Sequence, residues 1–270
     1  MVMDWLSYSL ADFVPFSHVT YMRLFERYAA RFWPAVLVGV GVGLGALWLL
    51  RRTARGPVGW PWGIGLGLLN GPRNRLTEPG VERGATSRAG YGPAAALLLV
   101  AFGVCWVWIA WAFHWYSYAP LNWVGAYFAA AFALQGLLLI LSAVGLSMRE
   151  DERPAGVAWD GLAWSGYGLI AFAVIGMPLL GYMAGLWLGG RAWFGLALFG
   201  SSPDPTALAT LGLIAIVRPR FAWMLVILPT LWCLTSAATL AVLGDPLWAV
   251  QVLAVLTLAL VAGARAAARR

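Results

Sequence analysis

The run LNWVGAYFAAAFALQGLLLILSAVGL, residues 121–146, decides the fold class. It contains no Asp, Glu, Arg or Lys, and it exceeds the roughly 20 apolar residues that cross about 30 Å of hydrocarbon. Five other runs match or approach it in length, and a seventh run is clearly shorter. The five are Trp33–Leu50, Pro93–Phe113, Leu162–Trp187, Phe221–Leu243 and Leu247–Ala262, and the short run is Thr206–Val217. The pattern predicts an all-α membrane protein with about seven transmembrane helices.

The composition of the whole chain agrees with this prediction. Of its 270 residues, 61% are hydrophobic and 11% are charged, whereas a soluble domain is about 45–50% apolar and about 25% charged. This balance excludes a cytosolic enzyme, a disordered protein and a compact nucleic-acid binder. The lipid bilayer is therefore the expected partner, and no nucleic-acid partner is expected. The chain contains no Lys, which excludes a retinal Schiff base.

The arginines predict the orientation, because cytoplasmic loops of membrane proteins are enriched in basic residues. All 18 basic residues are Arg. If the loop after the first span is cytoplasmic, 14 of them lie inside and only Arg23, Arg27, Arg31 and Arg191 lie outside. We therefore expect a multi-pass protein of the bacterial inner (plasma) membrane, with the N-terminus outside and the C-terminus inside.

The chain divides into three regions. Residues 1–32 form an N-terminal segment, residues 33–262 a single transmembrane domain containing an Arg- and Gly-rich cytoplasmic loop at 51–91, and residues 263–270 a basic tail. Within the N-terminal segment, apolar residues recur at helical spacing from Val19 to Phe32, beside an arginine stripe. This pattern predicts an amphipathic helix in the membrane interface. A plain anchor or packing element is the simpler alternative.

Two Asp-Pro steps, Asp204-Pro205 and Asp245-Pro246, each have the pattern of a helix N-cap followed by Pro in the first turn. After the first step, about thirteen helical residues up to Val217 rise only about 20 Å. Together with the upstream apolar stretch Trp193–Gly200, this fifth span is interpreted as a re-entrant or broken helix, of the kind that forms substrate sites in secondary transporters. A short helix shielded by its neighbours is the alternative.

Polar residues near the predicted outer surface form the candidate substrate-binding site. Polar groups at membrane depth are costly and are therefore often functional. Such a cluster can anchor a polar solute, relay a proton or hold a metal, whereas the simpler interpretation is an aromatic belt with helix capping. The candidate residues are His114, Asn122, Asp204, Thr206, Asp12 and His18. No metal site and no cofactor is predicted.

A second group of polar residues lies inside the spans. Pro229 in the sixth span leaves the carbonyl of Leu225 without its helical donor, so that carbonyl is a possible ligand. Small polar stripes of this kind either allow close helix packing or line a hydrophilic path. The residues concerned are Thr230, Cys233, Ser236 and Thr239, at steps of three, together with Gln135 in the third span. Gln251 in the seventh span is open to the same two interpretations.

The sequence gives no positive indication of an enzyme. It contains no C-x-x-C or H-E-x-x-H motif and no distinctive nucleophile arrangement, so no catalytic residue is predicted. Cys105 and Cys233 lie in apolar runs and are interpreted as buried thiols rather than as a disulfide.

Four stretches carry a resemblance to a known family: residues 8–34, residues 112–135 with Ala112-Phe113-His114-Trp115, residues 199–212 with Pro203-Asp204-Pro205-Thr206, and residues 231–240. Together they resemble a bacterial family of multi-pass inner-membrane proteins that is catalogued as a domain of unknown function. The resemblance implies a polytopic helical protein of this length, with the loop at 51–91 as an insertion. Similar proteins are loosely labelled permeases, and the family brings no established function.

The leading functional hypothesis is binding or transport of a small solute or ion through an outward-facing polar pocket. One alternative is a structural or assembly subunit, in a homo-oligomer or with membrane partner subunits. Another is a membrane-embedded enzyme that acts on lipid or quinone.

Overall fold

The computed structural model describes residues 14–54, 92–147, 161–187, 196–219 and 221–267. Within these ranges the chain forms α-helices and two π-helical segments, and no strand occurs there. The first π segment, Ala110–Tyr118, continues α3, and the second, Phe172–Gly176, joins α5 to α6. The α-helices are α1 (His18–Arg31), α2 (Trp33–Ala54), α3 (Gly92–Ile109), α4 (Val124–Ser147), α5 (Gly161–Ala171), α6 (Met177–Trp187), α7 (Pro203–Val217), α8 (Ala222–Val242) and α9 (Trp248–Ala267). The all-α prediction is confirmed for this part of the chain.

Five helical stretches are long and apolar enough to cross a membrane: Trp33–Ala54, Pro93–Tyr118, Val124–Val144, Gly161–Leu186 and Ala222–Val242. The apolar part of α9, Trp248–Gly263, is shorter, and so is α7. Each of the seven apolar runs in the sequence is thus helical, and five of them have the length of a full span. The fold is that expected of a polytopic membrane protein.

The short helix α7 lies in the centre of the bundle. Every residue from Pro203 to Ile216 is buried, which is the pattern of a helix enclosed by protein on all sides. It packs against α5 and α8 and also contacts α3 and α9. The approach to α5 is backbone to backbone, because a side chain at Gly212 would collide with the carbonyl oxygen of Gly166. The short run Thr206–Val217 is therefore part of a short helix that protein shields.

The residues before α7 enter the bundle without forming a helix. Phe199, Ser201 and Ser202 are buried, and non-helical backbone at membrane depth is tolerated only inside protein or beside a cavity. Gly200 has a φ of 76°, and a Cβ there would be 2.7 Å from the Cα of Gly39 on α2. Only glycine combines this conformation with so close an approach.

The N-terminal helix α1 is amphipathic, as predicted. Its arginines, Arg23, Arg27 and Arg31, are exposed. Its apolar face packs against protein, because the rings of Phe25 and Tyr28 both contact the ring of Phe113 in the first π segment. The apolar face is thus covered by the bundle, so α1 is a packing element as well as a candidate interfacial helix.

Some of the sequence predictions concern positions outside the described ranges. Asp12, loop residues 55–91 and tail residues 268–270 belong to this group. Cys105 and Cys233 are described, and both are buried free thiols, as expected.

Candidate functional site

A cavity of about 260 Å³ opens at the end of the bundle where α7 and α9 begin. Parts of α1, α6, α7, α8 and α9 form its walls, together with residues 196 and 197. Most of the lining side chains are apolar. The side chains with charged or amide groups on the wall are His18, Glu26, Asp204, Asp245 and Gln251.

Asp245 holds the start of α9 and also contacts α1. Its Oδ1 accepts a hydrogen bond from the backbone N–H of Leu247 at 2.9 Å, as expected for a capping residue. Its Oδ2 lies 3.2 Å from Nε2 of His18. The Asp245 side chain is 9% exposed and that of His18 is 40% exposed, so this pair lies at the mouth of the cavity.

Asp204 is not the N-cap of α7, and the prediction that it caps this helix is wrong. The helix begins at Pro203, Ser202 is the N-cap residue, and Asp204 lies within the first turn. The two prolines that flank Asp204 have no backbone N–H, so this turn offers few donors to a capping side chain. The carboxylate instead accepts a hydrogen bond from Nε1 of Trp232 at 2.8 Å.

The contact with Trp232 sets the depth of Asp204. Trp232 is the central residue of α8, which runs from Ala222 to Val242. Asp204 also neighbours Ser236, one turn nearer the end of α8, and Gln251 in the first turn of α9. The start of α7 therefore lies below the last turn of α8 and beside the first turn of α9.

One unsatisfied acceptor lies next to the Asp204 carboxylate. The side chains of Ser236 and Gln251 lie within hydrogen-bonding reach of that carboxylate, whereas Gln251 Oε1 makes no hydrogen bond within the described ranges. Gln251 is 1% exposed and lines the cavity. A buried acceptor without a donor costs about 1–3 kcal/mol, which a bound donor would recover. Gln251 Oε1 is therefore an open hydrogen-bond acceptor on the cavity wall.

His114 lies behind the cavity. Its side chain is fully buried, and neither ring nitrogen has a hydrogen-bond partner in the described part of the chain. The imidazole packs against Phe132 at 4.3 Å and Trp232 at 4.9 Å, measured between ring centroids. Trp232 thus separates His114 from Asp204 and contacts both. The position of His114 is an aromatic box inside the bundle rather than an exposed aromatic belt.

Asn122 and Thr206 hold local backbone structure near the site. Asn122 Oδ1 accepts from the N–H of Val124 at 3.1 Å, at the start of α4. Thr206 Oγ1 accepts from the N–H of Gly200 at 2.9 Å and donates to the carbonyl of Ser202 at 2.8 Å. Of the predicted binding residues in the described ranges, only His18 and Asp204 line the cavity.

The polar residues inside the spans also have protein contacts. Gln135 Nε2 donates to the carbonyl of Leu225 at 2.9 Å, which is the carbonyl that Pro229 leaves free. On α8, Cys233 and Ser236 are buried, whereas Thr239 is half-buried and donates to the carbonyl of a residue of its own helix. Thr230 is half-buried. The buried residues of this stripe, Cys233 and Ser236, therefore face α7 and the Asp204 carboxylate.

Sequence reasoning missed two residues of the site, Glu26 and Trp232, and gave Asp245 only a capping role. Glu26 lies beside the arginine stripe in a helical projection of α1, and the sequence alone does not show that it reaches a cavity wall. Trp232 lies in one of the resembling stretches, but nothing in the sequence links it to Asp204. In the described ranges, no group of three or more His, Cys, Asp and Glu residues is arranged to hold a metal ion.

Comparison with known proteins identifies the family. Residues 89–270 match the model of DUF6064, which is described as a family of unknown function. The chain belongs to this family, as the resemblance to a family of unknown function indicated. The match includes Asp204, Asp245 and Gln251 but not α1 or α2. No curated protein and no solved structure is detectably similar.

Proposed function

We propose that this DUF6064 member binds a small solute or ion in the cavity between α1, α7 and α9 and carries it across the membrane. The observation that carries the proposal is the position of Asp204. It lies in the first turn of a short buried helix, on the wall of a cavity of about 260 Å³ that Gln251 also lines. Secondary transporters form their substrate sites at such discontinuous helices.

In this proposal seven apolar helices cross or enter the bacterial inner membrane, with the N-terminus outside and the C-terminus inside. Residues 196–202 and α7 together make the fifth passage, the first part non-helical and the second helical. The distribution of arginines supports the orientation, since 14 of 18 then lie on the inner side. Arg51 and Arg52 at the end of α2 and Arg218 after α7 belong to that inner group. The cavity then opens to the outside.

The wall of the cavity indicates how a solute would be held. Carboxylate and amide groups at the inner part of the cavity would orient a polar group, while apolar side chains would contact the rest of the molecule. Helix α1 contributes His18 and Glu26 to the wall, and His18 contacts Asp245. A movement of α1 would therefore open or cover the mouth.

Cysteine accessibility tests the proposal. In a variant with Cys105→Ala and Cys233→Ala, we would add Ala197→Cys on the cavity wall and treat intact cells with a membrane-impermeant methanethiosulfonate. We expect labelling from outside, and we expect some members of a panel of small amines, carboxylates and sugars to slow it. Leu139→Cys, at a fully buried position of α4, is the unlabelled control. Arg52→Cys should be labelled only after the cells are permeabilised.

The opposite results would contradict the proposal. Labelling of Ala197→Cys only in permeabilised cells would mean that the cavity faces the cytoplasm. Absence of labelling in both preparations, or labelling that no solute slows, would remove the binding function. A stoichiometric partner protein in material purified from native membranes would then favour the assembly-subunit alternative.

A further inference from the structure

We propose that the solute is a small organic cation, in which an ammonium group binds at Asp204 and Gln251 and a compact apolar body occupies the rest of the cavity. This inference rests on the proposed binding function of the cavity and specifies the class of solute. It is carried by three observations: the charge of the wall, the open acceptor at Gln251, and the apolar character and size of the remaining space.

The charge of the wall favours a cation. The ionisable side chains that line the cavity are three acids, Asp204, Asp245 and Glu26, together with Tyr21 and His18. No arginine of the described ranges lines it, and the arginines of α1 are on the exposed face of that helix. The chain contains no lysine. The wall therefore repels an anion and attracts a positive charge.

The two buried acids differ in whether a basic side chain lies next to them. Asp245 has a backbone N–H on one oxygen and His18 near the other. Asp204 accepts a hydrogen bond from the neutral indole of Trp232, and no basic side chain of the described ranges pairs with it. A buried carboxylate without a counter-charge is costly, and a bound cation offsets that cost. Asp204 is therefore the carboxylate that a cationic ligand would neutralise.

The hydrogen-bonding groups match an ammonium. An ammonium group has only donors and needs several acceptors at once. Asp204 supplies a carboxylate, and Gln251 supplies its side-chain oxygen. The Gln251 residue is only 1% exposed, and this oxygen has no donor in the described part of the chain. The Ser236 hydroxyl lies beside the same carboxylate and has two lone pairs that can also accept. A ligand with only acceptor groups would leave the Gln251 oxygen unsatisfied.

The remaining wall fits an apolar body of limited size. Its side chains include Met177, Leu180, Leu196, Leu240 and Val250. An apolar cavity of about 150 Å³ holds one benzene molecule, so about 260 Å³ accommodates one ring with a short ammonium arm. A sugar would need more polar partners than this wall offers. The described ranges also contain no three-ligand group for a bare metal ion.

A matched series of three ligands tests the inference: 2-phenylethylammonium, 2-phenylethanol and phenylacetate, which are cationic, neutral and anionic around the same ring. Binding to the purified full-length protein is measured by isothermal titration calorimetry. We expect the ammonium compound to bind about tenfold or more tighter than the alcohol, and the acid to bind weakest. The exposed-face variant Arg27→Gln is the control and should bind like the unmodified protein.

Two variants assign the ammonium site. Asp204→Asn keeps an acceptor for Trp232 but removes the charge, and Gln251→Met keeps the length of the side chain but removes the open oxygen. Each should weaken ammonium binding by about tenfold, and Asp204→Asn should change alcohol binding much less, because only the ammonium carries a charge. Thermal melting of each variant confirms that it is folded. Ala197→Trp, which fills the cavity, should abolish binding of all three ligands.

The outcomes separate the two proposals. Equal binding of amine, alcohol and acid, all abolished by Ala197→Trp, would overturn the cation class and leave the cavity as a solute site. Amine binding that is unchanged in Asp204→Asn and Gln251→Met would overturn the assigned ammonium site. If none of the three ligands binds, the cation class is overturned. If, in addition, no solute of the labelling panel protects Ala197→Cys, the binding function itself is overturned.

Discussion

Asp204-Pro205 and Asp245-Pro246 have the same pattern in the sequence, yet their carboxylates have different partners. Asp245 precedes α9 and accepts a backbone N–H of the following residues, as a capping residue does. Asp204 lies inside the first turn of α7 and accepts the indole N–H of Trp232 from another helix. The comparison teaches that an Asp-Pro step predicts where a helix begins, but not which group the carboxylate binds.

The difference has a local cause and a consequence for the site. Pro203 and Pro205 remove two backbone donors from the first turn of α7, so the carboxylate between them is free for a tertiary contact. Pro246 follows its Asp, but no proline precedes it, and Leu247 supplies a donor. The helix that follows each step differs as well, since α7 is enclosed by protein and α9 is partly exposed.

The largest expected effect is a loss of stability when a glycine of the enclosed helix α7, but not one of α9, is replaced by leucine. Gly212→Leu in α7 should destabilise the protein by about 3 kcal/mol or more, because the side chain would overlap the backbone of Gly166. Gly263→Leu in α9 is the matched control, since a Cβ there meets no neighbour within 4 Å. It should be neutral or slightly stabilising. Unfolding in mixed micelles with increasing SDS measures both, and equal destabilisation would contradict the packing difference.

The next largest effect is expected when the Asp204 carboxylate is removed. Asp204→Ala leaves the buried indole N–H of Trp232 without an acceptor and should cost about 1–3 kcal/mol. In the double variant with Trp232→Phe, the donor is gone too, so the two changes should cost less together than the sum of the single changes. The same SDS titration measures the double-mutant cycle. Strictly additive losses would mean that the hydrogen bond does not stabilise the fold.

The sequence predicted those features of the fold that depend on local composition, but not those that depend on contacts between helices. Hydrophobic run lengths predicted the helices, including the short helix α7, because those features depend on local composition. The same residues could not reveal the non-helical segment before α7, since its backbone is held by contacts with α2 such as Gly200 to Gly39. Proline at 229 predicted a free carbonyl at Leu225. That Gln135 fills it depends on packing between helices 90 residues apart in the chain.

The candidate site was predicted only in part, because the sequence indicates which end of the helices a residue is near but not how the helices pack. Sorting arginines by span placed His18 and Asp204 on one side of the membrane, and both line the cavity. His114 was expected in the same pocket, but the π-helical turn at Ala110–Tyr118 belongs to a packing arrangement that sequence periodicity does not encode. It places the imidazole among aromatic rings behind Trp232.

A smaller loss of stability is expected when the Asp245 carboxylate is removed. Asp245→Ala removes the capping oxygen of Leu247 and should cost about 1 kcal/mol. Asp245→Ser retains a capping oxygen and should recover most of that loss. Thermal melting and SDS titration of the three proteins measure the series. A loss at Asp245→Ala as large as that at Asp204→Ala, without recovery in the serine variant, would mean that the two carboxylates have equivalent roles.

The smallest effect distinguishes charge from hydrogen bonding at the two positions. Asp245→Asn keeps the capping oxygen and loses only the charged contact with His18, whose side chain is 40% exposed. Exposed pairs contribute about 0–1 kcal/mol and are screened by salt. The difference between this variant and the unmodified protein should therefore be under about 0.5 kcal/mol and should shrink further as NaCl is raised. The partner of Asp204 is the neutral indole of Trp232 rather than an exposed basic side chain, so the stability difference of Asp204→Asn should change less with NaCl. Equal salt dependence in the two variants would contradict this difference between the two carboxylates.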